Sequence, residues 1–250
     1  MNVQPSYADL TRYDPNPFKR WLQNGRFRDA IRLLNPQDQM RIVDYGAGDG
    51  ELVVRLKSHL PNAEFICFEP GHSLYVQAQM HLMGRDRVRL TAVSADIHDG
   101  WADAVFCLEV FEHLPLDETV AALKEIHRIL KPGGELIIGV PVETGPIALV
   151  KGLFRSQRRK DFDTDWSRIW RAVLGDVGFE RHRVWMTPEM SYYPHHLGFD
   201  HRVMIEAASP WFQVVTTRPS PLGLLPVGLN TELNIRLIRK PDTNTDDLSS

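Results

Sequence analysis

The sequence predicts an α/β protein with a mostly parallel sheet and helices on both of its faces. Between Arg41 and Val140, five apolar strand-like runs alternate with three helical patterns, which is the spacing of right-handed crossover connections. A glycine-rich turn follows the first of these runs and opens a helix. A chain of 250 residues with 43% hydrophobic residues is large enough to bury a substantial core.

The elements are predicted in the following order. Residues 1–40 form a helical cap, because "PNPFKRWLQNGRFRDAIRLL" is a basic and aromatic helical segment that packs beside the sheet or over its mouth. Strands are predicted at "RIVDY", "AEFICFE", "VRLTAVSAD", "DAVFCLEV" and "GELIIGVP". Helices are predicted at "GELVVRLKSHL", "HSLYVQAQMHLM" and "LDETVAALKEIHRIL", the last of which "KPGG" brings to an end.

The second half of the chain departs from this alternation. Residues 41–240 are predicted to form the main domain, and a helical insertion interrupts it at about 144–200. Strand-like runs return at "WFQVVTTR" and "TELNIRLIRK". The polar tail at residues 241–250 is predicted to be disordered.

Charge and cysteine content restrict the partners and the compartment. The net charge is −3, so the chain has no general attraction for nucleic acid, which is not an expected partner. Cys67 and Cys107 each lie in an apolar run, and we expect both to be reduced core residues. The first residues lack a secretory pattern and no apolar run reaches the length of a membrane span, which predicts a cytoplasmic protein.

The turn Gly46–Gly50 is the first candidate ligand site. A glycine-rich turn between a strand and a helix allows the backbone to approach a ligand closely. The nicotinamide pattern G-x-G-x-x-G fits Gly46 and Gly48, but its third position falls on Glu51. Asp44 also precedes the glycines, which that pattern does not require. A nicotinamide-dependent oxidoreductase is therefore a weakened alternative at this point.

Three acids at successive strand ends favour a different ligand. Asp44, Glu69 and Asp96 are predicted to close the first, second and third strands. The carboxyl ends of parallel strands line one crevice, so the three side chains should face one pocket. There Glu69 could accept hydrogen bonds from two ribose hydroxyls, and Asp96 could accept one from an adenine amine.

The ordered set "VDYGAGDG", the acidic end of strand two, "SAD", "DAVFCLEVFEHL" and "LKPGG" resembles the class I S-adenosylmethionine-dependent methyltransferases over Arg41 to Val140. Within that family the chain resembles the small-molecule, ubiquinone-biosynthesis-like subset. The resemblance implies a Rossmann-like, seven-stranded sheet of order 3-2-1-4-5-7-6 with strand seven antiparallel. "WFQVVTTR" would be strand six and "TELNIRLIRK" strand seven.

The resemblance also implies a cofactor, S-adenosyl-L-methionine, with S-adenosyl-L-homocysteine as its product. Asp44 and the glycine loop would hold the amino-acid portion of the cofactor. Glu69, with Pro70 beside it, would hold the ribose, and Asp96 with Ile97 would face adenine. Leu108 and Glu109 would flank the methionine portion. The loop residues implied are Gly46, Ala47, Gly48 and Gly50.

Histidines occur where the methyl acceptor should bind. Methyl transfer depends mainly on positioning, but a hydroxyl acceptor must also lose a proton, for which histidine is suited. The candidate bases are His113 in "EVFEHL" and His195 and His196 in "YPHHLGFDH", although each of them could instead be structural. The predicted function is O-methylation of a small or medium-sized molecule in natural-product, glycan or lipid-linked biosynthesis.

The same region admits a second interpretation. Glu109, Glu112 and His113 form an E-x-x-E-H arrangement that resembles the metal-binding set of small-RNA 3′-terminal 2′-O-methyltransferases, with His195 or His196 as a further ligand. Such a set would suit Mg²⁺ or Mn²⁺. The later motif is spaced differently and no long basic surface is evident, so a metal is not expected.

The acceptor side leaves two further questions open. The segment "IALVKGLFRSQRRK" begins apolar and ends basic. Such a segment could make weak contact with a membrane surface, or it could be an inserted helical hairpin that packs on the core. A methyltransferase-like module without turnover is the non-enzymatic alternative. The oligomeric state is not predicted.

Overall fold

The computed structural model describes residues 17–157, 162–187 and 190–241. Its centre is a seven-stranded sheet of order β3-β2-β1-β4-β5-β9-β8, and β6 pairs with β7 in a separate hairpin. The strands are β1 (Arg41–Tyr45), β2 (Glu64–Phe68), β3 (Val88–Thr91), β4 (Ala102–Leu108), β5 (Leu130–Pro141), β6 (Val184–Thr187), β7 (Met190–Tyr192), β8 (Phe212–Ser220) and β9 (Glu232–Arg239).

The described helices connect these strands. They are α1 (Pro17–Ile31), α2 (Glu51–His59), α3 (His72–Leu82), α4 (Leu116–Ile129), α5 (Pro146–Ser156), α6 (Trp166–Val173) and α7 (His201–Ala208). Short 3₁₀ turns lie at Ser94–Asp96, Phe111–His113, Phe162–Thr164 and Val227–Leu229. No described helix combines the length and the apolar character needed to cross a membrane.

The predicted sheet topology is confirmed. Strands β1 to β5 are mutually parallel, and β9 is antiparallel to both β5 and β8. β8 and β9 are the sixth and seventh strands of the predicted order 3-2-1-4-5-7-6. The central strands read as continuous apolar runs because helices cover both faces of the sheet.

Two element boundaries differ from the prediction. The third strand ends at Thr91, so Asp96 does not close it but lies in the following 3₁₀ turn. The Thr91 hydroxyl accepts a hydrogen bond from Val93 N (3.1 Å) and donates one to Asp96 Oδ2 (2.8 Å), and this local turn replaces the strand ladder. The fifth strand begins at Leu130, directly after α4, and passes through the predicted "KPGG" stop.

The sheet separates two hydrophobic cores. On β4, Val105 and Cys107 face one core, while Ala104 and Phe106 face the other, as the two-residue period of a strand requires. Both cysteines are buried free thiols, as predicted. The central strands are thus fixed from both sides, and their carboxyl ends provide a rigid base for a site.

Two flanking segments frame the mouth of the sheet. α1 packs against β5, β8 and β9. In the 144–200 region, α5 and α6 enclose a small separate core of Ala148, Ile169, Ala172 and Leu197. The β6–β7 hairpin in this region was not predicted. The predictions for residues 1–16 and for the tail at 242–250 lie outside the described residues.

Candidate active site

A cavity of about 600 Å³ lies at the carboxyl ends of β1, β2 and β4. The loop after β1 and the start of α2 form one wall, and the loop after β4 forms another. α1 contributes Arg20, Gln23 and Arg26, and the segment after β7 contributes His196. Ligands of open α/β sheets bind in this position.

The loop after β1 depends on glycine. Gly46 N and Ala47 N donate hydrogen bonds to Phe68 O (2.8 and 2.9 Å), which ties the loop to the end of β2. Gly46 has φ +81°, and a Cβ there would lie 2.4 Å from Val110 Cγ2. Gly50, which precedes α2 with φ +80°, would place a Cβ 2.8 Å from Leu82 Cδ1. At Gly46 and Gly50 any other residue would therefore be strained in its backbone and would clash with a neighbouring side chain.

The Asp44 side chain lies at the floor of the cavity in an unusual state. It is buried, and its Oδ2 has no hydrogen-bond partner among the described residues. Burial, followed by the charges of Glu69 and Asp49, raises its pKa to about 8. A buried acceptor without a partner is costly. A ligand that offers a cationic donor, such as an ammonium group, would satisfy it.

Glu69 is held in place by the backbone. Its Oε2 accepts a hydrogen bond from Gly48 N and its Oε1 accepts one from Gly71 N, each at 2.8 Å. Burial raises the pKa of Glu69, although these two bonds lower it in part. Each oxygen retains a lone pair, so the oriented carboxylate can still accept hydrogen bonds from ligand hydroxyls.

Glu109 joins the loop after β4 to α1. Its Oε2 lies 2.5 Å from Arg26 Nη1, and its backbone has φ +57°. Burial raises its pKa, but the Arg26 guanidinium, a hydrogen bond from Glu232 and the charges of His196 and Lys151 together lower the net pKa. Glu109 is therefore an ionised, paired carboxylate that fixes α1 over the cavity.

His113 and His196 meet at the cavity wall. Their Nε2 atoms are 3.2 Å apart, and His113 Nδ1 lies 2.8 Å from Tyr193 O. We assign the Nδ1 hydrogen of His113 to this bond, which leaves its Nε2 as an acceptor. Burial lowers the pKa of His196 to about 4, so its ring is neutral at pH 7.

Glu112 lies behind this pair. It is fully buried, and neither of its carboxyl oxygens has a hydrogen-bond partner within the described part of the chain. Burial, followed by the charge of Glu109, raises its pKa well above the usual range. Its main-chain carbonyl accepts a hydrogen bond from Arg181 Nη2 at 2.6 Å. This bond ties the loop after β4 to the 144–200 region.

A second ion cluster anchors α5 beside the site. Glu143 is buried and lies 3.0 Å from Lys151 Nζ and 2.7 Å from Arg155 Nη2. Burial alone would raise the pKa of Glu143, but Lys151 and Arg155 lower it far below its usual range. The cluster attaches the insertion to the end of β5.

The cavity brings together most of the residues selected from the sequence. Asp96 is exposed, Ile97 is buried in the core, and neither lines this cavity. The His195 ring stacks on Phe162 at 5.3 Å, away from the cavity. The roles assigned to Asp96, Ile97 and His195 stay predictions. The cavity is lined by Asp44, Gly46, Ala47, Gly48, Glu69, Pro70, Leu108, Glu109, His113 and His196, and Gly50 shapes its loop.

Sequence reasoning missed the α1 contribution. Polar side chains repeat at every third position of this helix, at Arg20, Gln23 and Arg26, and so lie on one face of it. The helix was predicted from the sequence only as a cap, without ligand-binding residues. That spacing was the available signal. Arg181 and Glu143 had no comparable signal, because their contacts are made across the fold.

Comparison with known proteins identifies similar sequences. Residues 43–136 match a family model described as "Methyltransferase domain". The malonyl-[acyl-carrier protein] O-methyltransferase of Geobacter sulfurreducens is 30% identical over 170 residues, 62% of this chain and 61% of the relative. The demethylmenaquinone methyltransferase of Thermus thermophilus is 30% identical over 115 residues, 44% of this chain and 51% of the relative. The chain thus spans between half and two thirds of these relatives.

Solved structures share the architecture at low sequence identity. A protein from Pyrococcus horikoshii OT3 has TM-score 0.63 and 14% identity, covering 94% of this chain and 96% of that one. The N-methyltransferase NodS of Bradyrhizobium japonicum in complex with S-adenosyl-L-homocysteine has TM-score 0.55 and 15% identity, covering 92% and 91%. At these identities the likeness establishes the fold.

Proposed function

Because the chain contains a class I S-adenosylmethionine-dependent methyltransferase domain, we propose that the protein transfers the cofactor's methyl group to an oxygen of a small or medium-sized acceptor. The observation that carries this proposal is one cavity lined both by Asp44 and Glu69 and by the His113–His196 pair. Donor-binding groups and candidate proton acceptors thus share a single space.

The residues present fit S-adenosyl-L-methionine. Asp44 Oδ2, which has no hydrogen-bond partner in the described part of the chain, suits the ammonium group of the cofactor. The oriented Glu69 carboxylate suits the ribose hydroxyls. The missing Cβ at Gly46 keeps the loop tight beneath them. When bound, the cofactor supplies an electrophilic methyl group on a sulfonium.

The histidine pair would remove the acceptor proton. An acceptor hydroxyl donates its proton to His113 Nε2, and its oxygen electron pair forms the new bond to the methyl carbon. With S-adenosyl-L-methionine bound, the methyl group would leave the sulfur, which would keep the electron pair of the broken bond, and S-adenosyl-L-homocysteine would be the product. His113 then releases the proton to solvent. The neutral state of His196 keeps a second cation from opposing this transfer.

Thermal unfolding with S-adenosyl-L-homocysteine or NADH tests the cofactor assignment. A ligand present at 100 times its Kd should stabilise the native state by about 2.7 kcal/mol. We expect a rise in Tm with S-adenosyl-L-homocysteine and none with NADH. The opposite pattern would overturn the proposal in favour of a nicotinamide enzyme, and no response to either ligand at millimolar concentration would also contradict it.

Turnover separates an enzyme from a binding module. The first acceptors to assay are malonyl-[acyl-carrier protein] and demethylmenaquinone, because the two relatives are named for these molecules. His113→Ala should reduce formation of S-adenosyl-L-homocysteine by about 100-fold or more while the cofactor Kd changes little. A variant with lost cofactor affinity and normal turnover would remove His113 from this role.

Exposed apolar side chains in the 144–200 region support the proposal that the acceptor is associated with a membrane. α5 exposes Val150, Leu153 and Phe154 at one helical face, and α6 exposes Trp166 and Trp170. Phe154→Ala/Trp170→Ala should reduce co-sedimentation with anionic phospholipid vesicles. Met83→Ala, which removes an exposed apolar side chain elsewhere, should not. Equal sedimentation of all three proteins, or none by the parent, would contradict this contact.

A further inference from the structure

Three potential ligand atoms converge at the cavity wall. Glu112, His113 and His196 each offer one such atom, and these lie within 4.8 Å of one another. Tyr193 N donates a hydrogen bond to His113 O at 2.6 Å, so the segment carrying His196 is joined to the turn carrying the other two residues. The convergence is thus fixed by the backbone.

The buried carboxyl group of Glu112 needs a polar or charged partner. Both of its oxygens are buried and have no hydrogen bond within the described residues. Native proteins rarely leave a buried carboxyl group in this condition, and a bound ion is one of the established explanations. A cation bound between Glu112 and the two histidines would give these oxygens a partner.

The two imidazole rings have the arrangement of metal ligands. His113 donates its Nδ1 hydrogen to Tyr193 O, as metal-binding histidines usually do with a carbonyl or carboxylate, and its Nε2 faces His196. The Nε2–Nε2 distance of 3.2 Å fits two nitrogens that each lie about 2.0–2.1 Å from a tetrahedral ion.

The neighbouring groups are less suited to bind an ion. Glu109 is already paired with Arg26 at 2.5 Å. His195 stacks on Phe162 and lies 3.6 Å from Asp163. The structure therefore selects a different set from the one considered in the sequence, with two histidines and one carboxylate. Two imidazoles favour Zn²⁺, Co²⁺ or Mn²⁺ over Mg²⁺.

We propose that Glu112, His113 and His196 bind one divalent transition-metal ion at the acceptor side of the cavity, with its remaining coordination positions open to the cavity. The binding site does not depend on methyl transfer, but its consequence rests on the proposed function. In the metal-loaded protein the histidines act as ligands, and an acceptor hydroxyl bound to the ion releases its proton to solvent before its oxygen attacks the methyl group.

Cobalt binding tests the site without any cofactor. Tag-free, full-length protein is stripped with EDTA, dialysed and titrated with Co²⁺, with the visible absorption of the bound ion and equilibrium dialysis as readouts. We expect one ion per chain, displaced by Zn²⁺, and a cobalt spectrum typical of four or five ligands. Less than one tenth of an ion per chain at millimolar Co²⁺ would overturn the proposal.

Variants assign the ligands. Glu112→Gln and His196→Ala should each weaken Co²⁺ binding by at least about tenfold, whereas His195→Ala, the adjacent histidine outside the set, should bind as the parent does. Circular dichroism and Tm establish whether each variant is folded. If Glu112→Gln does not fold, the Co²⁺ affinity of His196→Ala alone tests the ligand assignment. Unchanged affinity in the folded ligand variants would refute the assignment. Because these titrations contain no S-adenosyl-L-homocysteine, their failure is distinct from failure of the proposed function.

Discussion

Asp44 is the residue on which cofactor binding should depend most directly, because its buried Oδ2 has no hydrogen-bond partner among the described residues. Asp44→Asn should weaken S-adenosyl-L-homocysteine binding by about 1–3 kcal/mol, or roughly 5- to 150-fold. The ligand's ammonium prefers the ionised carboxyl group, whose pKa in the free protein is about 8. Parental affinity should therefore rise from pH 6 to pH 8, and the variant should lose this rise, as measured by calorimetry.

The same pKa determines how Asp44 affects the free protein. A carboxyl whose folded-state pKa is raised from 3.8 to about 8 favours folding most below pH 4, and this contribution is lost as the pH rises toward 8. Asp44→Asn should flatten that part of the stability profile in thermal unfolding. Asp86→Asn, at an exposed site, is the matched control. Equal pH profiles for Asp44→Asn and the parent would contradict the raised pKa.

Gly46 can be compared with a glycine of similar backbone conformation. Gly46 and Gly84 have φ +81° and +77°, but only the Cβ at Gly46 would meet a neighbour, at 2.4 Å. Gly84→Ala should cost about 1 kcal/mol, while Gly46→Ala should cost at least about 1–3 kcal/mol more through overpacking. Urea unfolding measures both, and similar losses would mean that Val110 moves aside freely.

Residue-level prediction succeeded where a local pattern sets the position. Asp44 and Glu69 lie at strand ends that apolar runs mark in the sequence, and both face the cavity. Asp96 was misplaced because the Thr91 hydroxyl forms a local turn that ends β3 early. The partnership of Arg26 with Glu109 joins two distant segments and leaves no local trace in the sequence.

At the scale of elements, Glu143 is the attachment point of α5. Glu143→Gln removes the negative charge between Lys151 and Arg155, and breaking such a buried cluster should cost about 3–5 kcal/mol. Because the folded-state pKa of Glu143 is lowered, its stabilising contribution is present above about pH 4.5 and is lost as the pH falls below that value. The parent should thus lose stability in acid more steeply than the variant.

Thermal unfolding between pH 3 and pH 7 measures this difference. Glu64→Gln is the control, because its partner Arg41 lies 3.9 Å away at an exposed position. Exposed pairs contribute little. If both variants lost the same stability, α5 would not depend on the Glu143 cluster.

Element-level prediction was accurate in the alternating region and poorer beyond it. The 3.6-residue stripe of α4 is strong, and its boundary at Ile129 was found within one residue. The β6–β7 hairpin was missed because its strands are short and contain no clear alternation. Its position depends on contacts with distant segments, such as the hydrogen bond from Ser191 N to Glu118 Oε1 at 3.1 Å, and not on its own sequence pattern.

At the scale of the molecule, stability is unevenly distributed. β1 and β4 lie between two large cores, while α5 and α6 share a small cluster of four buried side chains. Local opening should therefore require less free energy in the insertion. In native-state hydrogen exchange, amides of α6 should exchange at least about tenfold faster than those of β4. Equal protection would mean that the insertion unfolds only with the whole domain.

The whole-molecule prediction from the sequence was the most complete. The sheet order follows from the resemblance carried by "VDYGAGDG" and the motifs after it, and the structure confirms it. The acceptor end was not predictable to the same degree, because its shape depends on how the insertion docks on the loop after β4.

That docking has an evolutionary consequence. The insertion holds His113 through the amide and carbonyl of Tyr193, neither of which depends on the side chain at that position. Lineages could therefore diversify the surrounding aromatic and charged side chains while His113 keeps its position. Exchange of residues 144–200 between homologues should therefore change the surface around His113 while the strand ends that carry Asp44 and Glu69 stay the same.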